Sequence, residues 1–218
     1  MNASSCFYLA GYLVGAIAFA AMAWRRKLLT EGVFILMAAG LLGGLAGASL
    51  TQRIVSGSPG KTVLGAIVCG YFCVFAAKRV LGIKRPLGDL FAIGLSAGES
   101  VGRLGCFFGG CCFGKLCSLP WAVHQHGAFR HPAQLYLAVS NLAILIVLLC
   151  VERFKPPENR LFYLQGALYC TVRFTIEFFR DSPPTSFGLT SAQYACLFGF
   201  VFFSVKFAQL FHGRKVSI

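Results

Sequence analysis

The chain has 218 residues, 57% of them hydrophobic and 12% charged, with a mean hydropathy of +0.72, a balance that excludes a water-soluble globular domain. Its formal net charge of +13 does not point to nucleic acid, because the cations fall between apolar runs and gather on no single soluble face. Composition therefore predicts an all-α, polytopic membrane protein.

A crossing needs about 17 to 25 apolar residues. In chain order, such runs lie at Cys6 to Trp24, Gly32 to Leu50, Thr62 to Ala77, Ala133 to Val151, Leu161 to Phe179 and Leu189 to Phe207, with a weaker one from Leu87 to about Val101. The first run follows MNASS, has no basic segment before it, and reads as a retained helix. If successive loops alternate sides, one set holds Arg25, Arg26, Lys27, Lys78, Arg79, Lys84, Arg85, Arg153, Lys155, Arg160, Lys206, Arg214 and Lys215. The other holds Arg53, Lys61, Arg103, Lys115, Arg130 and Arg180. The positive-inside rule makes the richer set cytoplasmic. The expectation is about seven transmembrane helices, N-terminus outside and C-terminus cytoplasmic, in one domain over 1–218. A non-spanning exported segment is expected at about 102–132, and a segment of that length is more often functional than a connector. The small residues of AAGLLGGLAGAS in the second run suit close helix packing or room for a lipid tail.

Tyr169, Arg173, Glu177 and Arg180 follow one another by four, four and three residues, which puts them on one helix face. An ion at mid-membrane costs about 2.5 to 3.5 kcal/mol, so the face must look into protein, water or a polar head group. Arg173 and Glu177 can lock helices together as a pair. One cation, Arg180, is then left over, and a surplus cation suits an anionic ligand.

Arg103 sits among glycines after the fourth run, where backbone amides can approach a ligand and a guanidinium fork matches phosphate oxygens. With Arg173 it reads as a phosphate clamp, or else it snorkels to the interface. His131, Gln134 and Tyr136 in HPAQLY set three hydrogen-bonding groups at a helix start, which favours anions; an interfacial Tyr and His anchor is the plainer reading. Cys106, Cys111, Cys112 and Cys117 run C-x4-C-C-x4-C, which is not the C-x2-C spacing of structural zinc sites. No metal is expected there, and a disulfide is compatible with an oxidising outer compartment.

GRLGCFFGGCCFG, HPAQLY and YCTVRFTIEFFR, in this order, resemble the signatures of the prolipoprotein diacylglyceryl transferases of bacterial cytoplasmic membranes. The GRxGNFxNGExxG signature is matched at Gly102, Arg103, Gly105, Phe107, Gly110 and Gly114. HPxQLYE is matched through Tyr136, and YxxxRFxxEFxR at Tyr169, Arg173, Phe174, Glu177, Phe178 and Arg180. The resemblance implies a multi-pass enzyme of the bacterial inner membrane. It would move the diacylglyceryl group of phosphatidylglycerol, or a related phospholipid, to the lipobox cysteine thiol of a prolipoprotein peptide, with no cofactor. It implies catalytic roles for Arg103, Arg173 and His131. It implies substrate binding by Arg103, Gly105, Cys106, Gly114, Gln134, Tyr136, Tyr169, Glu177 and Arg180.

The sequence departs from the family in two ways. Where the family has an HGG histidine at the start of its third span, this chain reads GKTVLGAIVCG and places Leu64. Cys106, Gly109 and Cys111 stand where the signature has Asn, Asn and Glu, and Leu137 replaces the Glu of HPxQLYE. Two other functions therefore stand beside the first. One is a same-fold paralogue serving another acceptor, with or without a cysteine of its own as nucleophile. The other is a non-enzymatic metal or redox membrane protein built on the cysteine cluster.

Overall fold

The computed structural model describes residues 2–57, 62–185 and 187–212. Lys61, Arg214, Lys215 and the Leu64 side chain lie outside the described part. Among the described residues are seven helices: α1 (Ala3–Arg25), α2 (Glu31–Ser56), α3 (Val63–Val80), α4 (Gly88–Phe108), α5 (Ala133–Glu152), α6 (Arg160–Glu177) and α7 (Ser191–His212). A short antiparallel hairpin, β1 (Val123–Gln125) and β2 (Ala128–Arg130), lies between α4 and α5. Four helices are long and apolar enough to cross a membrane: α1, α2 over Glu31–Ile54, α5, and α7 over Ser191–Leu210, with mean hydropathies of 1.9, 2.1, 2.3 and 1.3. The chain forms two compact units, Met1–Ala18 with Leu87–Ile218, and Phe19–Pro86.

In the Phe19–Pro86 unit, α2 and α3 pack through small residues. A side chain at Gly43 would stand 2.6 Å from Cys73 Cβ, and one at Gly47 would stand 2.6 Å from Cys69 Sγ. Here the glycines are used for close helix packing. Thr62 caps α3 by accepting from Gly65 N at 3.3 Å, and Lys78 and Arg79 in its last turn suit the helix dipole.

In the larger unit, α4, α5 and α6 form the frame of the site. The first turns of α4 and α6 clasp one another. Asn159 Oδ1 accepts from Gly88 N at 3.0 Å, while Asp89 accepts from Asn159 N and Phe162 N, each at 3.0 Å. Each helix thus has its unpaired first amides met by a side chain at the start of the other, which explains a carboxylate that is 1% exposed. Toward the other end, Ala133 and Leu137 of α5 bury against Ile176 of α6, with Val172 and Tyr136 beside them.

The helix continues past Val101. α4 runs on to Phe108, so Gly102, Arg103 and Gly105 are helical and the non-helical stretch begins at Gly109. The helix continues because its glycines face α1: Ser4 Oγ donates to Gly105 O at 2.8 Å, and a side chain at Gly105 would meet the Tyr8 ring at 2.9 Å. Glycine weakens an isolated helix, but here it permits a contact that more than compensates.

Candidate functional site

α6 carries Tyr169, Arg173 and Glu177 on one face and ends at Glu177. Arg180 is therefore not on the helix, as the spacing predicts, but in the turn beyond it, from which Nη1 reaches back to Glu177 Oε2 at 3.1 Å. The chain leaves the helix here because Lys115 N donates to Phe179 O at 2.9 Å and Asp181 N to Phe113 O at 3.2 Å, which stitches the turn to the segment after α4.

Glu177 is buried and receives three donors: Arg173 Nη1, Arg180 Nη1 and, at 3.2 Å, Thr190 Oγ1. Thr190 is fixed in turn by Gln193, whose Oε1 accepts from Thr190 N at 2.9 Å. One carboxylate thus orients two guanidiniums, and the group keeps a surplus positive charge.

Across from this face, Arg103 Nη2 donates to Tyr169 OH at 3.3 Å and to Glu99 Oε1 at 3.4 Å. Asn141 Nδ2 of α5 holds the other oxygen of Glu99 at 3.2 Å. Arg103 and Arg173 thus belong to two networks with a carboxylate in each, and Tyr169, the partner of Arg103, lies one turn before Arg173 on α6. Glu99 and Asn141 complete the arginine set; Asn141, Thr190 and Gln193 escaped the sequence reading. The signal for Asn141 was available, since it is the one polar side chain in NLAILIVLLC.

His131 sits in an aromatic setting at the start of α5. Its Nδ1 lies 3.2 Å from Tyr136 OH, which also accepts from Trp121 Nε1 at 2.9 Å, and its ring centroid is 5.2 Å from that of Phe179. Gln134 is fully buried, and its Nε2 donates to Cys111 O at 2.8 Å and Gln125 Oε1 at 3.2 Å, so it fastens the loop after α4 to α5. Gly114 is where three segments converge. Its N donates to His131 O at 3.1 Å, and a side chain there would collide with His131 and stand 2.7 Å from Phe179 O.

Cys106, Cys111 and Cys112 place their Sγ atoms within 4.8 Å of one another. Tyr8 OH is 3.3 Å from Cys106 Sγ and 3.7 Å from Cys111 Sγ. The Cys112 thiol is held well below the usual cysteine range, first by hydrogen bonds from Cys106 and then from Cys111, with the Arg180 and Arg103 guanidiniums adding to the effect against the penalty of burial. Cys111 is pushed up by its bonds to Cys106 and Cys112. A cavity of about 420 Å³ lies on the far side of Glu177, lined by Lys115, Asp181, Ser182, Thr190 and Gln193 among others. It touches the arginine cluster only through Glu177.

A family model described as prolipoprotein diacylglyceryl transferase matches residues 4–208. Curated relatives carry the name phosphatidylglycerol–prolipoprotein diacylglyceryl transferase. The protein of Campylobacter lari is 32% identical over 149 residues, covering 68% of this chain and 49% of the relative. That of Clostridium tetani is 27% identical over 211 residues, 86% and 84%. That of Geobacter sulfurreducens is 32% identical over 163 residues, 71% and 61%. The chain spans about half the length of several of the curated relatives it matches. With a match that begins in α1 and ends in α7, the chain belongs to the prolipoprotein diacylglyceryl transferase family.

Proposed function

We propose that this protein is a multi-pass enzyme of the bacterial cytoplasmic membrane that transfers the diacylglyceryl group of phosphatidylglycerol to the lipobox cysteine thiol of a prolipoprotein. The observation that carries the reading is the set of arginines: Arg173 and Arg180 share the single carboxylate of Glu177, and Arg103 bonds to Tyr169, one turn before Arg173 on the same helix. A surplus of oriented guanidiniums between apolar helices suits a lipid phosphate. Seven crossings, with the N-terminus outside and the C-terminus in the cytoplasm, are the topology that goes with it.

In this reading Arg103, Arg173 and Arg180 hold the phosphate and offset the charge that grows on it as the glycerol carbon–oxygen bond breaks. Tyr169 orients the head group, while Gly105, Cys106, Gly114, Gln134, Tyr136 and His131 shape its surroundings. The acceptor sulfur forms the new carbon–sulfur bond, glycerol phosphate leaves with the electron pair of the broken bond, and the thiol proton goes to a base. A thiol with a reference pKa of about 8.5 ionises more readily beside guanidiniums. We assign the base to Glu99, whose carboxylate is held by Arg103 and Asn141, in place of the histidine absent at Leu64.

The experiment is complementation of a transferase-depleted bacterium, with lipoprotein maturation followed by gel shift. Wild-type protein restores maturation, and Arg103→Ala and Arg173→Ala do not. A well-expressed wild-type chain that fails to restore it overturns the reading and favours transfer to a different acceptor, the alternative supported by the cysteines at signature positions.

A further inference from the structure

The three clustered sulfurs make and break no bond in the transfer above, where Cys106 only helps to shape the head-group surroundings, and their arrangement is not what local geometry yields by default. Cys106 lies in the last turn of α4, while Cys111 and Cys112 follow the turn at Gly110, where φ is +64°. Adjacent residues in extended chain point to opposite sides. Here Cys112 adopts φ +59°, a left-handed conformation unfavourable for a non-glycine residue, and its sulfur joins those of Cys111 and Cys106 within 4.8 Å. Gln134 holds the Cys111 carbonyl from α5 at 2.8 Å, and Tyr8 OH touches two of the sulfurs. The trio is thus fixed from α4, α5 and α1 together. Cys106 is buried, Cys112 intermediate and Cys111 exposed, so an ion can reach the sulfurs from the Cys111 side.

We propose that Cys106, Cys111 and Cys112 form a three-thiolate binding site for Cu(I). Soft thiolate ligands select Cu(I), zinc or iron–sulfur centres. Structural zinc is almost always four-coordinate, and among the described residues no histidine or carboxylate joins this group of three. His126 Nε2 is 2.6 Å from Gly110 O instead. A three-coordinate sulfur set suits the monovalent ion. On binding, three copper–sulfur bonds form and the thiol protons are released. The site remains anionic once the three thiolates hold the monovalent ion. The site stands whether or not the chain transfers lipid.

The test uses the full chain, reduced and purified in detergent, titrated with Cu(I) against a competing chelator under anaerobic conditions. One equivalent binds per chain. Cys106→Ser, Cys111→Ser and Cys112→Ser each weaken the apparent affinity by at least about tenfold, the lower end for altered metal surroundings, while Cys117→Ser does not. Peptide-resolved alkylation checks the same point in the unmutated protein: Cu(I) protects Cys106, Cys111 and Cys112 and leaves Cys117 reactive. Undiminished binding by the triple serine variant, protection of none of the three, selective retention of zinc over Cu(I), or a native disulfide within the trio would each overturn the proposal.

Discussion

The α4–α6 pair buries carboxylates at both ends and uses them in opposite ways. At the first turns, Asp89 accepts two main-chain amides and belongs to a reciprocal helix cap. At the far end, Glu177 and Glu99 accept from Arg173, Arg180 and Arg103, side chains whose charge exceeds what holding two helices requires. A buried acid paired with backbone amides caps helices, whereas a buried acid shared by two arginines leaves positive charge to spare. Burial alone does not tell the two apart; the partners do.

This contrast breaks most sharply at Arg173. Arg173→Ala leaves Glu177 with fewer donors and removes a guanidinium from the site, and we expect transfer to fall by at least about a hundredfold, with lowered thermal stability. Maturation by gel shift and a detergent-phase melt measure the two; near-normal transfer would show that the far end is architecture too. Gly114→Ala forces His131 and Phe179 apart, and we expect about a tenfold loss of transfer with the helices intact by circular dichroism. Asp89→Ala is the converse case. It costs about 1 to 2 kcal/mol of stability through the lost cap while transfer per folded molecule changes less than about threefold. A large catalytic loss in a protein that melts normally would erase the distinction between the ends.

A smaller effect sharpens the picture of the positive end. Because Cys112 is held below the usual thiol range, its thiolate persists as pH falls, so its alkylation rate should stay nearly flat from about pH 8 to about pH 6. An ordinary thiol loses about tenfold per unit over the same interval. Arg180→Gln should steepen the Cys112 profile. Parallel decline of Cys112 and an unperturbed thiol would remove the role of the guanidiniums.

Much of this site was legible before any coordinates. The spacing of Tyr169, Arg173 and Glu177 determines a helix face by itself, and Pro132 marks the start of α5. What escaped was set by partners distant in sequence. α4 runs on to Phe108 through the glycines around Arg103, where Gly105 packs against α1. Nothing next to Asp89 in the chain marks it as a cap, since its amide partners lie about seventy residues away. The hairpin was missed although His126-Gly127, both at positive φ, form the two-residue turn it needs. Its strands are too short to show alternation.

The segment after α4 is tied to the turn after α6 by two main-chain bonds, Lys115 N to Phe179 O and Asp181 N to Phe113 O, beside the Arg130–Asp181 ion pair, and to the start of α5 by two more, Gly114 N to His131 O and His131 N to Lys115 O. Main-chain bonds do not depend on which side chain each residue carries, Gly114 excepted for want of room. Side chains beside this seam can therefore change without unfastening it, and the cysteines at 106, 111 and 112 contribute no side chain to these bonds. A rim stitched through its backbone leaves most of its side chains open to revision.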